Sequence, residues 1–358
     1  MRLGSSPAVR AVLGIAVSVV ALAVALRGVD LGATADVLRA AAPAWIVAML
    51  GFSLLDVSIR AIRWQRLVAP IAAIPYPRML GYLLVGYLAN NVLPARLGEL
   101  VRSHYLGDRE GISRTTALGT VVVERVIDTT AVVLIAAGAI LVLHVKGVIA
   151  NLILVGLAVS AALVVALALG IVAHRLPYAD RVLARIERWP TIVALGSRLR
   201  GGLAVASDPR TVGAAVVLTI LAWSMSVLAF AAAGQAIGVQ LTIGEAAFLS
   251  AGVALATAIP SAPGYLGTFE LAAKGLAEAF GLPGDGAFAL ALLAHAGILL
   301  VTSAGGAVAV IRFGWAGIGA GRTAEARAQE SAGTGTNARV GVAPAVSRPG
   351  SSGGQASR

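Results

Sequence analysis

Apolar runs separated by short polar stretches dominate the chain, and six of them have about the length needed to cross a membrane. They cover residues 11–26, 42–59, 115–143, 148–173, 211–237 and 286–311. A spanning helix needs about 20 predominantly apolar residues. The first run exceeds the ~7–15 apolar residues of a signal-peptide core and further spans follow it, so we interpret it as an uncleaved helix. The pattern predicts an all-α polytopic membrane protein with six full spans.

Two further apolar runs are too short to span, and each stops at a proline- and glycine-containing motif that ends in glutamate. The run 79–93 stops at PARLGE, residues 94–99, which we name the first break. The run 246–259 stops at PSAPGYLGTFE, residues 260–270, the second break. About fifteen helical residues reach only ~22 Å, against a hydrocarbon core of ~30 Å. Irregular backbone at that depth must be buried in protein or line a cavity, so we predict two re-entrant or broken helical segments.

Prolines and glycines are expected to shape both breaks. Proline removes a backbone donor and glycine permits positive φ. These residues are Pro94, Gly98, Pro263, Gly264 and Gly267. The helix after each break would begin inside the membrane with free N–H groups, where an anion could bind.

The two broken segments sit in corresponding positions of two similar halves. At an offset of 169 residues, Pro94 falls on Pro263, and span, broken segment and span recur in 42–143 and 211–312. A single span separates these copies, which would invert the second. The sequence therefore predicts an inverted-topology repeat, with a binding site near the bilayer midplane as in many transporters.

Composition agrees with a membrane protein and excludes several kinds of site. The chain is 58% hydrophobic and 13% charged, whereas soluble domains average about 45–50% apolar and about 25% charged residues. It has no cysteine, which excludes disulfides, cysteine-bound metals and thiol catalysis. No nucleotide-binding, zinc-protease or serine-hydrolase motif occurs. We expect no metal, no cofactor and, despite a net charge of +11, no nucleic-acid partner.

The basic residues predict the orientation in the membrane. Residues 60–78 contain four arginines and no acid, and residues 174–210 contain seven arginines and three acids. The positive-inside rule places both stretches and both termini in the cytoplasm. Residues 314–358 are rich in small and polar residues, and we interpret them as a disordered cytoplasmic tail. Within 60–66, the arginines and a tryptophan are interpreted as an edge in the headgroup layer, with Asp56 and Arg60 forming a local salt bridge.

Three charged residues fall in the middle of the predicted span 115–143. They are Glu124, Arg125 and Asp128, and the two acids are four residues apart on one helix face. Each charge at the bilayer centre costs at least ~2.5–3.5 kcal/mol. Either an ion-pair network holds helices together here, or this is a headgroup or proton-coupling site.

Polar residues also flank the first break. Arg96, Glu99 and Arg102 would share one helix face, either as an interfacial helix with local salt bridges or as a site where the two arginines bind a lipid phosphate. Asn90 and Asn91 either satisfy backbone groups freed by the break or contact a headgroup.

Two candidates lie in the second half of the chain. Glu270 is either a partner of the helix dipole in the first turn of its helix or a site residue. His295 is alone in its span, where a satisfied core histidine is the simpler interpretation and a functional role the alternative. We retain both as candidates for substrate binding or coupling.

Three motifs, in this order, resemble the lysylphosphatidylglycerol synthase transmembrane-region family, also called the flippase-like domain family. They are NNVLPARLGELVR at 90–102, ERVID at 124–128 and PGYLGTFE at 263–270, and RAIRW at 60–64 is similar to an early basic motif of the family. The resemblance implies a flippase-like transmembrane domain over residues 1–313. In two-part members this domain is linked to moving aminoacylated phosphatidylglycerol, and a soluble domain attaches the amino acid. Only 45 residues follow Phe313, so aminoacyl transfer is not expected here.

The resemblance and the breaks together predict a translocator in the cytoplasmic membrane rather than an enzyme. Its substrate would be an anionic or glycosylated lipid, such as aminoacylated phosphatidylglycerol or a polyprenyl-phosphate-linked sugar. Two alternatives remain open: a non-transporting subunit that anchors or regulates an envelope-lipid enzyme, and a membrane-embedded transferase acting on lipid-linked sugars. The expected partners are membrane lipids and an envelope-lipid or glycosyl transferase.

Overall fold

The computed structural model describes residues 7–93, 97–144, 155–166, 202–258 and 261–314, and those ranges are helical with no strand. We number the helices of these ranges in chain order. They are α1 Pro7–Ala25, α2 Leu31–Arg39, α3 Pro43–Val68, α4 Tyr76–Val92, α5 Gly98–Glu110, α6 Arg114–Leu143, α7 Val155–Ala166, α8 Pro209–Ala236, α9 Ile243–Ala256, α10 Thr268–Glu278 and α11 Gly284–Phe313.

Among the helices of the described ranges, four are long and apolar enough to cross a membrane. They are α3, α6, α8 and α11, with 26 to 30 residues each, which confirms four of the six predicted spans. The other two predicted spans extend beyond the described residues: the side chains of α1 are described only from residue 12, and of 148–173 only α7 is described. The predicted tail falls outside the described residues from position 315 onward.

The helices are interrupted at both breaks. α4 ends at Val92 and α5 begins at Gly98, while Pro94 and Arg96 lie outside the described residues. A Cβ atom on Gly98 would lie 2.5 Å from Asn90 Oδ1, and closer still to the Gly86 carbonyl oxygen. Only glycine therefore lets α5 fold back closely against α4.

In the second break, the described residues 261–267 form no α-helix and contain one 3-10 turn, Pro263–Tyr265. Gly264 and Gly267 have φ values of +67° and +84°, which side-chain-bearing residues rarely adopt. α1 packs against this break: Ser18 Oγ accepts a hydrogen bond from Ala262 N at 2.8 Å, and a Cβ on Gly267 would meet Leu22 N at 3.0 Å. The first helix therefore packs against the second break.

The central bundle is built by pairs of helices from the two halves. α3 runs along α8, α4 packs against α11, and α9 packs against α6. Apolar clusters that include Leu249, Leu290 and Phe248 fill the space around α9. The long helices therefore enclose the ends of the broken ones.

The interpretation of residues 60–66 as a headgroup-layer edge is wrong for its main side chains. α3 continues to Val68, and Arg60, Arg63 and Trp64 are buried inside the bundle because acidic residues of α3 and α6 bind the two guanidinium groups. Of the four arginines counted in 60–78, only Arg66 and Arg78 remain exposed. The charge available there to set orientation is therefore smaller than the sequence indicated.

Candidate functional site

A cavity of about 400 Å³ lies where the two breaks meet. Asn90 and Asn91 at the end of α4, Glu99 of the first break and Tyr265 of the second break line its wall. A Cβ on Gly264 would lie 3.5 Å from the Asn91 carbonyl oxygen, so the second break packs against the end of α4, next to the first break. The long helices complete the wall with apolar and charged side chains.

One side of the cavity is backed by a buried network of arginines and carboxylates. Arg63 lies at its centre, with a fully buried side chain. It donates two parallel hydrogen bonds to the Asp128 carboxylate, from Nη1 to Oδ1 and from Nη2 to Oδ2; the second is 2.9 Å long. Nη1 also donates to Thr219 Oγ1 at 2.8 Å. α3, α6 and α8 are therefore joined by one guanidinium group.

Glu124 receives three guanidinium groups. Its Oε1 lies 3.0 Å from Arg63 Nη2 and 2.6 Å from Arg125 Nη2, and its Oε2 lies 3.1 Å from Arg102 Nη1. A buried carboxylate is tolerated when opposite charges and hydrogen bonds compensate its desolvation. The predicted alternative of an ion-pair network thus describes the geometry of Glu124 well.

Arg102 belongs to this network and does not extend into the cavity. Its guanidinium group lies over the Trp64 ring, 4.7 Å from the centroid, in addition to its bond to Glu124. Trp64 Nε1 donates to Thr120 Oγ1 at 3.1 Å. Arg102 Nη1 is bound to Glu124 and Arg102 Nη2 is buried without a hydrogen-bond partner, so phosphate binding by Arg102 stays a prediction.

Two other arginines do line the cavity, and sequence reasoning gave a site role only to the second. Arg60 binds Asp56 at 2.8 Å and lies over the Trp223 ring at 4.8 Å. Arg125 binds Asp128 at 3.1 Å, and 44% of its side chain is exposed. These are the guanidinium groups that a molecule in the cavity would meet.

Asn90 and Asn91 connect the first break to its surroundings. Asn90 Oδ1 accepts a hydrogen bond from Gly98 N at 2.7 Å, across the break. Asn91 Nδ2 donates to Thr302 Oγ1 and Ser303 Oγ at 2.9 Å each. Asn90 therefore satisfies a freed backbone group, and Asn91 holds α4 against α11.

Glu270 and His295 form a buried pair in the opposite part of the site. His295 Nδ1 lies 2.6 Å from Glu270 Oε1, and His295 Nε2 lies 2.8 Å from the Gly264 carbonyl oxygen. The His295 ring is stacked on Phe269 with centroids 4.1 Å apart. His295 also lines the cavity.

The predicted anion site at two free helix N-termini is not formed by the leading N–H groups. Gly98 N donates to Asn90, and Gly267 N donates to Glu270 Oε2 at 2.6 Å. Side chains of the chain itself thus take the place of an anion. Within the described ranges, no group of three or more histidine, aspartate or glutamate side chains could hold a metal ion.

Asp56, Arg60, Arg63 and Trp223 were missed as site residues. One signal was available for the arginines: Arg60 and Arg63 are three residues apart at the end of one apolar run, while the acids of the span 115–143 are four apart in another. Complementary charges at helical spacing on two apolar helices can face each other. Trp223 carries no such signal.

A family model described as "Lysylphosphatidylglycerol synthase TM region" matches residues 11–306. No curated protein and no solved structure matches the chain. The family match covers most of the chain, including both breaks and all residues of the charged network. The chain therefore belongs to the lysylphosphatidylglycerol synthase transmembrane-region family.

Proposed function

We propose that this membrane protein of the lysylphosphatidylglycerol synthase transmembrane-region family moves an anionic or glycosylated lipid between the leaflets of the cytoplasmic membrane. The observation that carries the proposal is the cavity itself. Both helix breaks and two arginines of a buried charge network meet there, between helices long enough to span a bilayer. In many secondary transporters, broken helices that meet near the middle of the bilayer form the substrate site.

The headgroup would bind to the charged side of the cavity. Arg60 and Arg125 could each donate hydrogen bonds to phosphate oxygens, because guanidinium matches phosphate geometry. Asp56 and Glu99 also line the cavity and could accept hydrogen bonds from hydroxyl or ammonium groups. About 400 Å³ is within the range of small-ligand sites, so the cavity suits a headgroup with its chains outside.

The packing of the helices supports the inverted repeat that the proposal uses. Exchanging the two halves turns the α4–α11 contact into the α9–α6 contact and leaves the α3–α8 contact unchanged. This is the pairing expected when two similar units are related by a twofold axis. We propose that the axis lies in the membrane plane, so that the breaks enter from opposite faces.

The proposal assigns no bond-making step to this chain. The lipid would be made by a separate envelope-lipid or glycosyl transferase, and both termini of the translocator would lie in the cytoplasm. Two carboxylates of the cavity wall, those of Asp56 and Asp128, are already bound by arginines, which makes them poor general bases. Transport therefore accounts for the site more directly than transferase chemistry does.

Lipid movement by the purified protein in vesicles tests the proposal. The probes are fluorescent phosphatidylglycerol, its lysyl ester, a polyprenyl-phosphate-linked sugar and, as a control, phosphatidylcholine. Glu124→Gln and Asp128→Asn keep shape and remove charge, and both should lose movement of the transported lipid while still inserting. Arg39→Gln, an exposed arginine on α2, is the matched control and should retain it. Equal rates for all probes with and without the protein would refute translocation.

A further inference from the structure

The Glu270–His295 pair requires a proton between its two side chains. A backbone carbonyl can only accept, so His295 Nε2 must donate to Gly264 O. If the histidine carried no second proton, a lone pair on Nδ1 would face the carboxylate oxygen at 2.6 Å. Two acceptors at that distance repel. One proton must therefore lie on Nδ1, beside a carboxylate, or on Oε1, beside a neutral imidazole.

The same pair holds both ends of the turn in the second break. His295 donates to the Gly264 carbonyl, and the second oxygen of Glu270 accepts from Gly267 N at 2.6 Å. Between these glycines, Tyr265 has a φ of +60°, which is strained for a residue with a side chain. The turn therefore stays in this conformation while the pair is intact.

We propose that Glu270 and His295 form a proton-binding site that couples the second break, and with it lipid movement, to the proton concentration. The proton is taken from water and forms an N–H or O–H bond between the two side chains. When it returns to water, the single remaining ring proton can serve either Glu270 or the Gly264 carbonyl but not both, so one of the two contacts becomes a pair of acceptors that repel, and the turn from Gly264 to Gly267 is released. The coupling to lipid rests on the proposed function, whereas the proton site does not.

The Glu270–His295 pair lies where a change in it can affect the whole cavity. Gly264 lies beside the Asn91 carbonyl oxygen at the end of α4, where a Cβ on the glycine would come within 3.5 Å of it, so movement of the turn changes the packing of the second break against the residues that lead into the first. The charged and titratable groups that face the pair across the cavity are Asp56, Arg60, Tyr87, Glu99, Arg125 and Asp128.

The remaining neighbours of the pair carry few ionisable groups. Tyr265 in the turn itself lines the cavity. On α10, one turn beyond Glu270, Lys274 is bound to Glu278 at 3.2 Å. The described part of α1 that packs on α10 contains no ionisable residue. α9 carries only Glu245, which caps its own helix.

A cysteine reporter tests the proton site without using transport. The natural chain has no cysteine, so Ala258→Cys, exposed on the cavity wall beside the second break, can be labelled alone with a soluble maleimide. The labelling rate of Ala258→Cys is divided by the labelling rate of Ala40→Cys, an exposed position after α2. This division removes the pH dependence of the thiol itself. In the otherwise natural protein in vesicles, this ratio should change with pH as the pair gains or loses its proton.

Glu270→Gln separates proton binding from a structural clamp. Its amide can donate permanently to Nδ1 of a neutral histidine and still accept from Gly267, which imitates the protonated pair. The labelling ratio of this variant should stay at the acidic value at every pH. His295→Phe keeps the ring stacked on Phe269 but cannot donate, and its ratio should also lose the pH response. An unchanged pH response in Glu270→Gln, or none in the natural pair, would overturn the proton site.

The same vesicles distinguish the two proposals. An inward or outward pH gradient should change the rate of lipid movement by the natural protein, and the rate of Glu270→Gln should not respond. Above the transition, the protonated fraction falls about tenfold per pH unit, which sets the expected size of the response. Absence of lipid movement together with a labelling response that Glu270→Gln abolishes would refute translocation and leave the proton site. Lipid movement that ignores the gradient would refute the coupling.

Discussion

Replacing Arg63 by methionine should destabilise the protein far more than replacing an exposed arginine does. Methionine has a similar length but offers no donor, so Asp128 loses its bidentate partner and Glu124 loses one of three guanidinium groups. Asp128 retains Arg125 at 3.1 Å and Arg60 at 3.6 Å. Removing one partner of a buried ion pair costs about 3–5 kcal/mol. We expect a loss in this range, against a total stability of about 5–15 kcal/mol for a typical protein.

The assay is thermal unfolding of the purified protein in detergent, followed by tryptophan fluorescence and size-exclusion chromatography. The matched control is Arg39→Met. Arg39 binds Asp36 at 2.9 Å, but the two side chains are 78% and 75% exposed, and such a pair contributes at most about 1 kcal/mol. Arg63→Met should therefore unfold at a clearly lower temperature than Arg39→Met.

A double variant sharpens the test. Removing the charge of Asp128 as well, in Arg63→Met with Asp128→Leu, takes away the uncompensated carboxylate and should recover part of the loss. The coupling between the two changes should fall within about 0.5–3 kcal/mol. If Arg63→Met is as stable as Arg39→Met, the buried network does not hold α3 to α6, and the headgroup-layer interpretation of Arg63 would be restored.

Three further outcomes follow from the packing and the orientation. Gly98→Ala should impair folding or lipid movement, because its Cβ would overlap a backbone carbonyl oxygen of α4. The control Gly138→Ala lies in open space on α6 and should be neutral or stabilise by up to about 1 kcal/mol. Equal effects of the two changes on thermal unfolding would contradict the close approach of α5 to α4. Thr219→Val leaves one guanidinium donor without its acceptor and should cost about 1–3 kcal/mol, less than the loss of the whole arginine; a loss as large as that of the arginine would place the stabilisation elsewhere. For topology, a cysteine at Ala35 should react with an impermeant reagent from outside the cell and one at Pro70 should not, and the reverse pattern would overturn the orientation.

The membrane class and the positions of the long helices could be predicted from the sequence. α3, α6, α8 and α11 each coincide with an apolar run of spanning length, and spanning depends on a local property, the number of consecutive apolar residues. Both breaks were also predictable, since proline and glycine act on the backbone where they stand. The motifs of the breaks and the span between them identified the family.

The sequence was less informative about which polar groups meet. It marked Glu124, Arg125 and Asp128 as unusual, because a charge in an apolar run is visible wherever its partner lies. It placed Arg63 in the headgroup layer, since an arginine at the end of an apolar run most often lies there. It also left the leading N–H groups of two helices free for an anion, although Asn90 and Glu270 occupy them.

Only the tertiary structure decided these contacts, because they join residues that are distant along the chain. Arg63 binds Asp128, 65 residues away, and Thr219, 156 residues away. Gly264 lies beside Asn91, and His295 beside Glu270. Whether an arginine is buried or solvated depends on whether carboxylates of another helix come within about 4 Å. Helix packing sets that distance, whereas apolar length and backbone chemistry set the helices and their breaks.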